Sequence, residues 1–198
     1  MKLGILLSGR GSNFEAIARN VLARKLDCEI GFVFSNKPNA PGLARARELG
    51  LPCGVIESAG RDRTDFDAEV ADLLKKNGVG LVCLAGYMRL LSGEFVSQFP
   101  QRILNIHPSL LPAFPGLDAQ YQALMHGVKV TGCTVHFVDE DLDSGPILMQ
   151  AAVPVLDDDT PEALSARILV EEHRIYSEAI AWVLTGNYRI EGRRVIKT

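Results

Sequence analysis

The sequence predicts an α/β fold, a doubly wound and mostly parallel central sheet with helices on both faces, and three observations carry that prediction. Short apolar runs alternate with longer amphipathic segments through the first hundred or so residues, turn residues separate many of them, and the amphipathic segments repeat their apolar positions every three to four residues. With 198 residues, 47% of them hydrophobic, the chain is long enough to bury a core without covalent staples, and no repeat or composition break divides it. One domain over 1–198 is therefore expected.

Taken in order, the apolar runs at 3–7, 30–34, 54–56, 81–85 and 103–106 predict five strands, and 13–24, 42–49 and 64–77 predict the helices between them. In the third helix Phe66, Val70, Leu73 and Leu74 share one face, Asp65, Glu69, Asp72, Lys75 and Lys76 take the others, and Gly78 supplies a stop. After residue 107 the texture changes. Pro108, Pro112, Pro115 and Gly116 fall within nine positions and predict a long loop. A helix at about 119–126, strands at 131–138 and 147–154, and a helix from about 161 to 184 follow, the last opened by Thr160 as N-cap and Pro161 in the first turn. The tail pairs 188–190 with 195–196 around Glu191-Gly192 as a small hairpin.

Charge and composition remove several classes of function. The balance of 21 Lys+Arg against 24 Asp+Glu gives a formal charge of −3, so the chain lacks the basic footprint of a duplex nucleic-acid binder. No run approaches the ~20 apolar residues of a membrane span, and the opening Met1-Lys2-Leu3-Gly4-Ile5-Leu6-Leu7 enters a Gly-rich turn and reads as a strand, not a signal peptide. Cys28, Cys53, Cys83 and Cys133 are widely spaced without C-x-x-C, which predicts buried free thiols and a cytoplasmic protein. Monomer and homodimer both remain open.

Three constellations carry chemistry. Ser8-Gly9-Arg10-Gly11-Ser12-Asn13 joins a strand to a helix, where backbone N–H groups and the positive helix end suit a phosphate; equally, it is a glycine-favouring turn with Ser12 or Asn13 capping the helix. It matches neither G-x-G-x-x-G nor G-x-x-x-x-G-K-[ST], which sets aside a dinucleotide fold and a Walker ATPase. Asn105 and His107 are two apart on a strand that Pro108 ends, so they emerge on one side at the carboxyl edge of the sheet. An amide beside an imidazole suits acyl transfer, and a polar strand end with a solvated His is the alternative. The third constellation is the acidic turn Asp139-Glu140-Asp141-Leu142-Asp143-Ser144-Gly145-Pro146, one of whose carboxylates is in a position to orient the imidazole, unless the turn is simply solvated. No second His stands at metal-ligand spacing, so no metal site is expected.

Together and in this order the motifs resemble the phosphoribosylglycinamide formyltransferases. The resemblance extends through Phe34-Ser35-Asn36-Lys37, Leu84-Ala85-Gly86-Tyr87-Met88-Arg89-Leu90-Leu91, Asn105-Ile106-His107-Pro108-Ser109-Leu110-Leu111-Pro112, Gly132-Cys133-Thr134-Val135-His136-Phe137-Val138, Asp143-Ser144-Gly145-Pro146-Ile147 and Glu171-Glu172-His173. It implies a Rossmann-like formyltransferase fold, with a nucleotide phosphate-binding half at about 1–100 and a catalytic and folate-binding half at about 101–198. It implies direct transfer of a formyl group from 10-formyltetrahydrofolate to the amine of glycinamide ribonucleotide, both small molecules, without a formyl-enzyme and without a metal. The catalytic trio implied is Asn105, His107 and Asp143; Gly11, Ser12 and Asn13 would take the ribonucleotide phosphate, with Glu172 near the ribose or amine. Folate would lie against Arg63, Met88, Arg89, Leu90, Leu91, Asn105 and the turn Asp139, Glu140, Asp141, Leu142 and Asp143. The loop 113–120 departs from the family in lacking a His near its end, and Tyr176-Ser177 stands for the common Tyr-Pro. His126, His136 and His173 are assigned no catalytic role. Methionyl-tRNA formyltransferase and formyltetrahydrofolate deformylase are the nearest rivals in the resemblance, each expected to carry an additional domain.

Overall fold

Around the central strand β1 (Lys2–Leu7) the first half of the chain winds twice, as the alternation of apolar and amphipathic segments predicts; the computed structural model describes residues 1–198. From β1 the chain passes through α1 (Ser12–Leu22), β2 (Glu29–Ser35), α2 (Pro41–Glu48) and β3 (Cys53–Val55) on one side. It then returns through α3 (Arg63–Lys76) to β4 (Val79–Leu84), α4 (Gly93–Gln98) and β5 (Ile103–His107) on the other. The strand order is β3-β2-β1-β4-β5, parallel throughout, with Leu6 opposite Phe34 on one side and Leu84 on the other. These elements, up to Asn105, form one of two compact units; Ile106–Thr198 forms the second.

The parallel strands are apolar on both faces, as strands covered by crossover helices must be, and Leu3, Ile5, Leu6, Leu7, Val33, Phe34, Leu81 and Val82 are all fully buried. Each such side chain contributes about 1.5–3 kcal/mol relative to exposure. Helix α3 follows its sequence pattern: Phe66, Val70 and Leu74 are buried, and the Asp62 side chain accepts the N–H groups of Thr64 (2.8 Å) and Asp65 (3.2 Å) at its start. Helix α1 corrects one expectation. Gly11 is its N-cap, with φ 77° and no side-chain cap, so Ser12 and Asn13 stand in the first turn and neither caps the helix. The six-residue α4 is an addition to the predicted elements, too short to show a helical period; its signal is Ser92, whose hydroxyl accepts the Phe95 N–H at 3.2 Å.

In the second unit the order continues from the end of β5 through β6 (Val130–Phe137), β7 (Ile147–Pro154), β9 (Arg194–Lys197) and β8 (Tyr188–Glu191). β6 and β7 are antiparallel, and the predicted tail hairpin β8–β9 joins β7 in parallel through Ile147 and Arg194. The loop after β5 ends in α5 (Ala119–Met125), and α6 (Pro161–Thr185) opens on the Thr160 cap, whose hydroxyl accepts the Ala163 N–H at 3.2 Å, and stops at Gly186, φ 70°. Helix α6 buries Leu164, Ile168, Ile175, Tyr176, Ala179, Ile180 and Val183, a 3.6-residue stripe that runs through Tyr176-Ser177 without a break. Of the four thiols, Cys83 and Cys133 are buried as expected, but Cys28 and Cys53 are only partly so; none is in a disulfide. No helix is long and apolar enough to cross a membrane.

Gly132 on β6 fixes the approach of β7, because a Cβ there would lie 1.9 Å from the Ala151 carbonyl oxygen and 2.9 Å from Leu110 Cδ2. The obstacle is backbone paired in the same ladder and cannot swing aside. Gly132→Ala should cost at least the ~1–3 kcal/mol of an overpacked core, read as a lowered urea midpoint; an unchanged midpoint would show that β7 is free to move.

Candidate active site

Strand β5 delivers Asn105 and His107 from alternate positions, so both leave the same side of the strand before Pro108 ends it. His107 is 5% exposed. Its Nε2 stands 2.8 Å from the Phe114 carbonyl oxygen and its Nδ1 3.3 Å from Asp143 Oδ2. A carbonyl can only accept, so Nε2 carries a hydrogen, and in the neutral ring Nδ1 then holds the lone pair. That lone pair faces a carboxylate oxygen. A proton on the pair would make that contact attractive, so the geometry places His107 and Asp143 to act together.

The loops that carry these contacts are held in place by their glycines. The Gly116 N–H donates to Asp143 Oδ2 at 2.8 Å, so that oxygen is engaged twice, while Oδ1 lies 3.8 Å from His136 Nε2. Asp143 itself has φ 50°, as do Phe114 (53°) and Asp118 (55°) nearly, a left-handed conformation that costs energy outside glycine. Gly145, the last residue of Asp-x-Gly, folds back so tightly that a Cβ would sit 1.9 Å from the Phe137 carbonyl oxygen. The Asp139 carboxylate accepts the Ser144 hydroxyl at 3.1 Å and the Asp141 N–H at 3.3 Å, bracing the turn from within. Glu140, Asp141 and Leu142 are exposed along its rim.

His136, to which the sequence assigns no catalytic role, is buried, with Nδ1 2.9 Å from the Phe137 carbonyl oxygen and Nε2 on the Asp143 side. Burial lowers its pKa below the ordinary 6.5, helped by neighbouring His107 and opposed by the Phe137 carbonyl and Asp143. The sequence signal available was its position at the end of β6, directly before the acidic turn. Cys133, on the same strand, is no nucleophile: burial pushes its thiol up to about 12, with Glu172 and Glu171 adding to the effect. Glu172 is buried on α6. No three His, Cys, Asp or Glu side chains are grouped to hold a metal ion.

In the first unit, two turns meet at the switch point between β1 and β4, the edge at which open α/β sheets bind their ligands. The Ser8 N–H donates to the Gly86 carbonyl at 3.0 Å and the Met88 N–H to Ser8 Oγ at 2.8 Å, while Ser8 Oγ donates to Asn36 Oδ1 at 2.6 Å. The Ser8–Asn13 turn and the Gly86–Leu91 turn are thus tied together, with Gly11, Ser12 and Asn13 at the N-terminus of α1. Gly11 is required there: a Cβ would lie 3.1 Å from Gly42 Cα. Gly9 has open space instead and is not needed for clearance. Met88 and Leu90 are exposed, Leu91 is half-buried, Arg63 is exposed at the start of α3, and the Arg89 guanidinium lies over the Phe66 ring at 4.6 Å.

Residues 1–180 match the formyl transferase family, and the chain belongs to it. It is similar to phosphoribosylglycinamide formyltransferase of Escherichia coli, 42% identical over 191 residues covering 96% of this chain and 90% of that protein. It is 45% identical over 96% of its length to the trifunctional purine biosynthetic protein adenosine-3 of Gallus gallus, but spans only 19% of that protein. Among solved structures, glycinamide ribonucleotide transformylase 1 of Symbiobacterium toebii superposes with a TM-score of 0.98 at 54% identity, covering 100% of this chain and 93% of that one.

Because the unfolded imidazole begins to take up a proton near pH 6.5 and the buried His136 does not, folding stability should fall as pH drops through that range, by at most about 1.4 kcal/mol per pH unit from this group. His136→Gln should flatten that dependence between pH 7.5 and 5.5 in urea unfolding; an identical slope would show that His136 charges in the folded protein.

Proposed function

We propose that the chain transfers the formyl group of 10-formyltetrahydrofolate to the amine of glycinamide ribonucleotide, giving formylglycinamide ribonucleotide and tetrahydrofolate. The observation that carries this reading is the 3.3 Å contact of His107 with Asp143, with Asn105 on the same strand end as His107. The amine nitrogen attacks the formyl carbon and a C–N bond forms as the carbonyl oxygen becomes an oxyanion. The Asn105 amide donates to that oxygen, and the imidazolium charge of His107 stabilises it through space. Asp143 Oδ1, the oxygen not already engaged by Gly116 and His107, accepts the amine proton. Collapse breaks the bond to N10 of the folate, which leaves with a proton returned by the pair. No enzyme nucleophile is required, which agrees with the inert Cys133 thiol.

In the same reading the ribonucleotide phosphate binds at Gly11, Ser12 and Asn13, where backbone N–H groups and the α1 dipole favour an anion, and Glu172 binds near the ribose or amine. Folate binds at Met88–Leu91, Arg63 and the turn 139–143. The reaction belongs to the cytosol, and both monomer and homodimer are compatible with it.

The direct test mixes the protein with 10-formyltetrahydrofolate, with and without glycinamide ribonucleotide, and follows tetrahydrofolate by absorbance. Product that depends on the ribonucleotide is expected; equal product without it would mean that water is the acceptor and would overturn the assignment. His107→Ala and Asp143→Asn should each lower kcat by about 10²-fold or more, roughly 2.7 kcal/mol, with little change in ribonucleotide KM. The double variant should lose little beyond the larger single loss, because the two act as one unit. Fully additive losses would contradict the paired mechanism.

A further inference from the structure

We infer that Asp67, a buried carboxylate on α3, is a positioning residue that holds the turn Gly86–Leu91 in its ligand-binding shape, an inference that rests on the folate assignment of that turn proposed above. Asp67 is 1% exposed. Its Oδ2 accepts the Ser92 N–H at 2.6 Å, at the point where the turn passes into α4, and its Oδ1 is buried with no hydrogen-bond partner. A carboxylate so placed depends on nearby positive charge to remain ionised. Burial raises its pKa, and the Ser92 N–H and hydroxyl, then Arg89 and Arg63, offset only part of that rise.

Both of those cations are residues expected at the folate site. Arg63 is four positions before Asp67 on α3 and so shares its helix face. Arg89 lies within the turn, its guanidinium stacked 4.6 Å over the Phe66 ring, and Phe66 continues through Phe34 (6.2 Å between centroids) to Tyr87 (6.3 Å). One end of the turn is thus pinned by Met88 N–H on Ser8 Oγ and the other by Ser92 N–H on Asp67, with the Arg89 guanidinium stacked over the Phe66 ring between them. The exposed Met88 and Leu90 side chains are what this anchoring presents outward. Asp67 touches neither ligand in this account; it acts through Arg89, Arg63 and the turn's backbone.

Asp67→Asn keeps the shape and removes the charge. Expected is a rise in the KM for 10-formyltetrahydrofolate, and in the Kd for tetrahydrofolate by calorimetry, of about tenfold or more, with kcat and the ribonucleotide KM within about threefold. Arg89→Lys, which keeps charge but not the planar stack, should weaken tetrahydrofolate less than Arg89→Leu does. If Asp67→Asn does not fold, that pair of Arg89 variants decides, since equal losses in the two would contradict a charge-held turn. Unchanged tetrahydrofolate binding in Asp67→Asn, or an equal fall in folate and ribonucleotide affinity, overturns the inference. A wild-type protein that binds tetrahydrofolate but fails to formylate the ribonucleotide refutes the proposed reaction alone; one that does not bind tetrahydrofolate refutes the folate assignment and this inference with it.

Discussion

The approach of His107 Nδ1 to Asp143 Oδ2, 3.3 Å apart, is the contact around which the rest of the site is built. The Phe114 carbonyl takes a hydrogen from Nε2, so the ring turns its other nitrogen to the carboxylate. Everything around them serves that geometry. Gly116 donates to the same carboxylate oxygen, Gly145 permits the reversal that brings Asp143 back toward β6, and Asp139 ties the turn to itself. Left-handed backbone at Phe114, Asp118 and Asp143 shows that energy is spent to keep these loops in place.

The parallel sheet supplies the other half of the arrangement. Its doubly wound order creates a switch point at β1 and β4, and Ser8 uses one hydroxyl to join the two turns that emerge there. Rigid strands buried on both faces fix where the turns begin, so small turns are enough to aim backbone donors and side chains. The buried Asp67 carboxylate, which accepts the Ser92 N–H, extends the same principle into the layer beneath, where a side chain of α3 meets the end of a turn that α3 does not belong to.

Much of this was legible in the sequence because it is written locally. The five parallel strands, the Thr160-Pro161 helix start and the tail hairpin all follow from periodicity and turn residues within a few positions. The spacing of Asn105 and His107 put them on one side of a strand end, and the acidic stretch after β6 read as a turn, but only the family resemblance singled out Asp143 within it. What was not legible is long-range. Nothing near Asp67 in sequence shows that its carboxylate meets Ser92, 25 positions away, and the place of His136 before the acidic turn does not show which of the turn's carboxylates it faces. The Phe114 carbonyl was hidden for a different reason: a backbone oxygen has no letter of its own, and the Pro-rich loop that presents it has no period to read. Helix α4 was too short for its pattern to rise above that of a loop, and Gly11, not Ser12 or Asn13, proved to be the cap because its left-handed backbone was needed against Gly42.

The most direct measurement is nitrogen NMR of the His107 ring, which reports which nitrogens carry protons. The shared-proton account predicts Nε2 protonated throughout, held by the Phe114 carbonyl, and an Nδ1 proton signal displaced by its bond to Asp143 that disappears or returns to an ordinary position in Asp143→Asn. A ring with Nδ1 protonated and Nε2 bare, or an Nδ1 signal indifferent to Asp143→Asn, would contradict it.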